Sequence, residues 1–391
     1  LETSTRRYGW GLAVAGGALA LFLAYGPRAV LPYLMPPYLT LTGLDRDAFN
    51  LMLTTQSLVW GLSQPLFGHL ADRGHGRRVL VLSALFYAAG LLLMPFSGVA
   101  WPGLVSGGAL MGLGLGGAGF AVVFSLLARR GEANRSTGFA IVTAAAASGA
   151  LAFTPLTQAL LLGPGIFAVF FVFGAAMLLI APAAIPLTPP KERQGEGEPL
   201  SATFRHPVFW VLLAGSLASG FQTGLVSAYL GVALADSGIA VRHAVMAIAL
   251  LNLFNVLGAA LSGPALKAFS APGLLGGLFL ARSAAFAALL LLPMGPALAL
   301  GFAVAAGLTW LAALPLSASW LLQACGARHF GLLFGLLLLG WQAGALAAIA
   351  FGFETYGWNG HYGKGWQIAL GLGIAAALVH FPMRGRTYQR A

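Results

Sequence analysis

Twelve long apolar runs separated by short polar punctuation fill this sequence almost end to end, and nothing else in it constrains the fold as tightly. They cover residues 10 to 39, 50 to 69, 79 to 97, 102 to 128, 137 to 160 and 164 to 186, then 207 to 234, 243 to 264, 271 to 293, 296 to 323, 329 to 352 and 365 to 383. A helix needs about 20 apolar residues to cross a bilayer, and each run is close to that length or longer. With 59% hydrophobic and 8% charged residues, against about 25% charged in an ordinary soluble domain, the chain cannot clothe itself in a water-facing surface. Its 54 Gly and 21 Pro suit packed membrane helices, where neighbours re-satisfy the backbone. A collagen-like or disordered chain is excluded by the lack of a Gly-X-Y period and by the high hydrophobicity. The expected fold class is all-α integral membrane with 12 transmembrane helices. The run from Trp10 is too long for a cleavable signal and no small-residue cleavage pattern follows it, so it counts as the first span.

A polar stretch, Thr188 to His206, separates six spans from six. Its Pro189-Pro190-Lys191-Glu192-Arg193-Gln194-Gly195-Glu196 run has too little apolar surface to pack. The organisation expected is an N-terminal six-helix half (1–187), a cytoplasmic linker (188–206) and a C-terminal six-helix half (207–391). Basic residues test the count, because Lys and Arg accumulate in cytoplasmic loops. An internal N-terminus places on one side Arg6 and Arg7; Arg73, Arg77 and Arg78; Arg129, Arg130 and Arg135; Lys191, Arg193 and Arg205; Lys267; Arg328; and Arg384, Arg386 and Arg390. Only Arg46, Arg242 and Lys364 face the other way, and Arg28 and Arg282 fall inside spans. Both termini are therefore expected in the cytoplasm, with the chain in a bacterial inner membrane. The net charge of +11 resolves into an orientation signal and calls for no nucleic-acid partner.

None of the ten acidic residues lies in mid-span, whereas proton pumps and metal-cation carriers need a membrane carboxylate as relay or ligand. The charge inside the spans is positive, which favours an anion. The lone Cys325 forms no disulfide framework or multi-cysteine zinc site. The histidines show no H-E-x-x-H, and the methionines no paired soft-metal motif. Gly112-Leu-Gly114-Leu-Gly-Gly117 lies within an apolar span, as helix packing and not a nucleotide loop. No catalytic constellation, metal or cofactor is expected.

Between spans 2 and 3 stands Gly68-His-Leu-Ala-Asp72-Arg73-Gly-His-Gly-Arg77-Arg78. It resembles the loop signature of the major facilitator superfamily, with His75 in place of the usual Gly two residues after the Asp-Arg pair. Gly68 would let two helices approach closely, and Asp72 would meet a facing helix N-terminus or an arginine. Gly68, Asp72, Arg73, Arg77 and Arg78 are thus candidates for conformational gating. The second half carries a degenerate copy without the Asp, Gly263-Pro-Ala-Leu-Lys267. It also repeats Arg135-Ser-Thr-Gly138 as Arg328-His-Phe-Gly331, and Ser148-Gly-Ala-Leu as Ala343-Gly-Ala-Leu. The resemblance covers essentially the whole chain, and it implies two pseudo-symmetric six-helix halves that rock around a central site.

Drug/proton antiporters of that superfamily carry an arginine in span 4 and a Gly-Pro-rich signature late in span 5; this chain has neither. Tyr25-Gly-Pro-Arg28-Ala-Val-Leu-Pro32-Tyr33 is similar to span 1 of the monocarboxylate and oxalate/formate antiporter branch, and span 10 with Pro315-Leu-Ser317 is similar too. A guanidinium in hydrocarbon is costly without a partner, so Arg28 is expected to take a substrate carboxylate bidentately. Tyr25, Tyr33, Gln222, Tyr229, Asn252, Asn255, Trp310 and Gln342 are further substrate-binding candidates. Arg282, in a helix peripheral in the superfamily, is expected to bond carbonyls between helices. The function implied is secondary transport of a small organic anion, a monocarboxylate or dicarboxylate, by exchange, uniport or substrate-linked proton coupling, with membrane lipids as neighbours and the monomer as the unit. Efflux of an amphipathic or neutral compound is the alternative; a non-transporting receptor or an enzyme ranks far below.

Overall fold

The computed structural model describes residues 2–130, 134–187, 197, 199–359 and 362–385, with 2–8, 353–359 and 384–385 described through the backbone alone. Linker residues 188–196, including Lys191 and Arg193, lie outside the described residues, as do Arg386, Arg390 and the side chains of Arg6, Arg7 and Arg384.

The described residues form helices joined by short turns, with one isolated bridge between Gly197 and Gly326. Helix α1 (Gly9–Thr42) is regular to Val30, passes through a 3-10 turn at Leu31–Leu34 and resumes at Met35. The prolines explain this: Pro27 lacks an N–H for the helix ladder and Pro32 opens the turn. The next apolar helical stretch, Arg46–Phe96, has 51 residues, more than twice what a bilayer needs. At Ala71–His75 the chain turns, with Gly74 at φ 86, where only glycine is at ease. That turn divides α2 (Arg46–Leu70) from α3 (Gly76–Leu93). Among the described residues, the 11 helices long and apolar enough to span thus hold the 12 expected spans. They continue as α4 (Ala100–Ala128), α5 (Arg135–Leu162), α6 (Ile166–Leu187), α7 (Pro207–Asp236), α8 (Val241–Ala268), α9 (Ala271–Leu291), α10 (Pro296–Cys325), α11 (Phe330–Asn359) and α12 (Gly363–His380).

Two compact units result. The first joins 1–138 and 145–197 with 326–336, the start of α11. The most apolar window of its α4 is 89% buried, because α4 runs between α2 and α3. The second unit joins 198–325, 337–391 and 139–144. In it α8 lies along the first part of α10 and α9 along α12, around Phe286, whose ring stands 5.5 Å from Phe302 and 5.8 Å from Trp366. Large apolar side chains such as Leu162, Val241 and Leu291 are left outward-facing, as lipid contact requires.

Each unit repeats one close helix crossing. A Cβ on Gly149 of α5 would stand 2.7 Å from the Phe22 carbonyl oxygen and 3.0 Å from the Gly26 nitrogen of α1. A Cβ on Gly344 of α11 would overlap the Leu217 carbonyl oxygen and stand 2.9 Å from the Phe221 nitrogen of α7. The repeated Gly-Ala-Leu of the sequence therefore does the same packing work twice, letting backbones meet where a larger residue would separate them.

Candidate functional site

In the first unit the Gly26–Gly149 crossing fixes the stretch of α1 that carries Tyr25 and Arg28. Tyr25 packs against Trp60 of α2 and Phe120 of α4, with ring centroids 5.8 Å and 4.8 Å away. Helix α4 is interrupted at residues 118 and 119, where a Cβ on Gly119 would stand 3.7 Å from the Tyr25 hydroxyl. Tyr87 of α3 donates to the Ala24 carbonyl at 2.9 Å. Arg28 lies among these groups, half-buried, and its Nε is enclosed without an acceptor. Among the described residues no protein group accepts a hydrogen bond from its side chain. Tyr33, in the 3-10 turn beyond it, is 57% exposed.

Arg282, the other arginine inside a span, is in the opposite condition. It is 3% exposed, and its Nε donates to Thr309 Oγ1 at 3.2 Å, its Nη1 to Ser219 Oγ at 2.9 Å and to Gln222 Oε1 at 3.1 Å, and its Nη2 to the Thr309 carbonyl. Gln222 is engaged at both ends of its amide, its Nε2 donating to the Ala369 carbonyl at 2.8 Å. Tyr87 precedes Gly149 by as many residues as Arg282 precedes Gly344, so the two occupy matching places; both tie the third helix of a half to the first.

The other candidates of this unit divide. Asn255 Oδ1 accepts from the Leu311 N–H at 3.0 Å, in the interruption of α10 at 310–312 where Trp310 stands half-buried. Asn252 donates to Ile248 of its own helix at 3.1 Å. Tyr229 donates to the Ile349 carbonyl and stacks on Tyr362 with centroids 4.8 Å apart. Gln342 is 6% exposed and its Oε1 has no partner among the described residues.

At the turn between α2 and α3, Asp72 is buried. Its Oδ1 accepts from the Gly331 N–H at 2.8 Å and from Ser125 Oγ at 2.7 Å, and its Oδ2 from the Leu332 N–H at 2.9 Å. No Cβ fits on Gly68, which rests against the Gly331 carbonyl. Phe124 and Phe334 pack beside them with centroids 5.2 Å apart. Arg73, Arg77 and Arg78 are exposed. Of the two partners open to Asp72 in the sequence, the helix N-terminus gives the carboxylate its backbone hydrogen bonds, and Arg129 donates to the carbonyls of Ala71, at 3.2 Å, and of Asp72 while its charge also favours the carboxylate. Sequence reasoning passed over Ser125 and Arg129. Ser125 had no signal within its apolar run, and Arg129 counted only as a loop charge. Beside this turn, burial, Arg328 and His69 hold the His329 imidazole below its ordinary range.

The sequence matches the Major Facilitator Superfamily over residues 17–349. A transporter from Bacillus subtilis (strain 168), the uncharacterized MFS-type YcxA, is 22% identical over 346 residues, 83% of each chain. Among solved structures, the fucose transporter FucP in its outward conformation superposes with a TM-score of 0.79 at 15% identity, over 97% of this chain and all of that one. The human organic anion transporter MFSD10 gives 0.69 at 16% identity, over 97% and 99%. A bacterial homologue of the iron transporter ferroportin gives 0.76 at 14%, over 96% and 100%. Twelve helical spans, a doubled glycine crossing and a buried Asp at the turn after α2 agree with that match, and the chain belongs to the Major Facilitator Superfamily, a family of membrane transporters and not of enzymes.

Proposed function

We propose that this transporter carries a small organic anion, a monocarboxylate or dicarboxylate, and that Arg28 is its anchor. The observation behind the reading is the Arg28 guanidinium, half-buried with its Nε enclosed and unmatched by any described acceptor. A planar cation in a low-dielectric setting gains most from a carboxylate that takes two of its N–H groups at once. Tyr25 and Trp60 supply the flanking surface, and the interrupted α4 beside them is the kind of discontinuous helix on which transporters build sites. The fold does not choose the cargo: related structures include proton symporters of fucose and xylose as well as an organic anion transporter. The similarity of Tyr25-Gly-Pro-Arg28 to the monocarboxylate and oxalate/formate branch points the same way. The reading includes a bacterial inner membrane, cytoplasmic termini, a monomer, and exchange, uniport or proton movement with the substrate.

Proteoliposomes test it. Counterflow of labelled carboxylates, each checked for competition by simple unlabelled ones, is expected to be abolished by Arg28→Ala and weakened in affinity by Arg28→Lys. Uptake that survives Arg28→Ala with unchanged affinity overturns the assignment. Flux of neutral or amphipathic compounds that carboxylates do not inhibit would establish efflux instead.

A further inference from the structure

Helix α10 is broken at residues 310–312, and two polar side chains do there what a helix ladder does elsewhere. Pro315 offers no N–H to the Leu311 carbonyl and its ring would collide with it in a regular helix. That carbonyl instead accepts from Leu314 at 3.0 Å, and Trp310 turns back to Gly307 at 3.2 Å. The Thr309 carbonyl and the Leu311 N–H thereby lose their helical partners. Arg282 Nη2, from α9, donates to the first. Asn255 Oδ1, from α8, accepts from the second at 3.0 Å.

Both replacements come from rigid ground. Helix α8 meets α10 backbone to backbone, since no Cβ fits on Gly258 against Leu308 or on Gly307 against Leu251. The guanidinium is also held by Ser219 and Gln222 of α7, and Gln222 by Ala369 of α12. We infer that Arg282 and Asn255 are positioning residues, which fix the broken segment of α10 and hence the place of Trp310 whatever the cargo. The inference goes beyond the anion reading: it assigns Asn255 and Gln222 to this frame, and it does not depend on what Arg28 binds.

The test uses the full chain in detergent and needs no substrate. Amide exchange in a peptide spanning residues 308–316 is expected to rise about tenfold in Asn255→Ala, the change from losing one such bond. A similar rise is expected in Arg282→Met and a smaller one in Arg282→Lys, which keeps a cationic donor group. The emission of Trp310, isolated by subtracting the Trp310→Phe spectrum, is expected to shift in the same order, with Lys giving partial rescue. Unchanged exchange and emission in both Asn255→Ala and Arg282→Met overturn the inference, as does a rise no greater in 308–316 than in peptides of α12. If Arg282→Met does not fold, Asn255→Ala and Arg282→Lys decide by the same readings.

Discussion

Asp72 caps a helix that begins far along the chain: its two carboxylate oxygens take the N–H groups of Gly331 at 2.8 Å and Leu332 at 2.9 Å, in the first turn of α11. Those N–H groups have no partner within their own helix, and they stand at the positive end of its dipole. A buried carboxylate there meets two charge-assisted bonds and a favourable field together. Ser125 uses remaining capacity on Oδ1 at 2.7 Å, and Arg129 holds the backbone of the same turn through the Ala71 and Asp72 carbonyls. The contact is made by backbone donors and so is indifferent to the α11 side chains, but it requires this one acid.

Asp72→Asn keeps the shape and removes the charge, and its amide nitrogen faces a donor where an oxygen was. The loss expected is about 1–3 kcal/mol. Amide exchange at Gly331 and Leu332 is expected to rise by roughly tenfold or more, with exchange in α9 unchanged. Equal protection in the variant would show that the contact does not hold α11.

Gly68→Ala attacks the same contact sterically. The new methyl would overlap the Gly331 carbonyl, a backbone group that cannot turn aside. Gly301→Ala is the control, since nothing lies within 4 Å of the position a Cβ would take there. Gly68→Ala is expected to lower the melting temperature, or to deprotect Gly331 as strongly as Asp72→Asn does, and Gly301→Ala to do neither.

How far the sequence revealed this arrangement depends on the physical range of each signal. Hydropathy reports whether a segment is apolar over some 20 residues, so the spans were legible, including the polar break that divides what is otherwise a 51-residue apolar helical stretch. Asp72 was legible as a candidate through the resemblance of its loop to the superfamily signature. That Arg129 would reach back to the carbonyls of the same turn was not, for nothing in one dimension brings the two together. The two arginines show the limit most clearly. Arg28 and Arg282 are alike as charges in apolar runs, and the sequence separates them only through the family resemblance, which puts Arg282 on a peripheral helix; the fold supplies the atoms, one guanidinium with no described acceptor and one donating to Ser219, Gln222 and Thr309. Partner atoms come from helices distant in sequence, and periodicity carries no record of them.

The His329 imidazole makes a contribution to stability whose pH sign is fixed. Burial, Arg328 and His69 depress its folded imidazole, while the unfolded chain titrates near 6.5. Between those two values the unfolded state binds more protons, so stability rises with pH there. Acidification through 6.5 and on past the depressed value therefore removes stability. The expected result is a fall in the wild-type melting temperature relative to His329→Gln between pH 7.5 and 5. Parallel curves for the two proteins would exclude the effect.

The contrast between the arginines predicts opposite stabilities for one substitution. Arg282→Met strands the Thr309 carbonyl and leaves Ser219 and Gln222 without their shared donor, which costs about 1–3 kcal/mol for each buried polar group left unsatisfied. Arg28→Met strands nothing, because no described group depends on that guanidinium, and it replaces an unmatched cation with an apolar chain of similar length. Without substrate, its melting temperature is expected to stay level or rise, while that of Arg282→Met falls. Added carboxylate is expected to raise the wild-type transition and leave that of Arg28→Met unmoved, since a ligand stabilises only a fold that binds it. A destabilised Arg28→Met would place Arg28 among the structural arginines, and with it the case for an anionic cargo would fail.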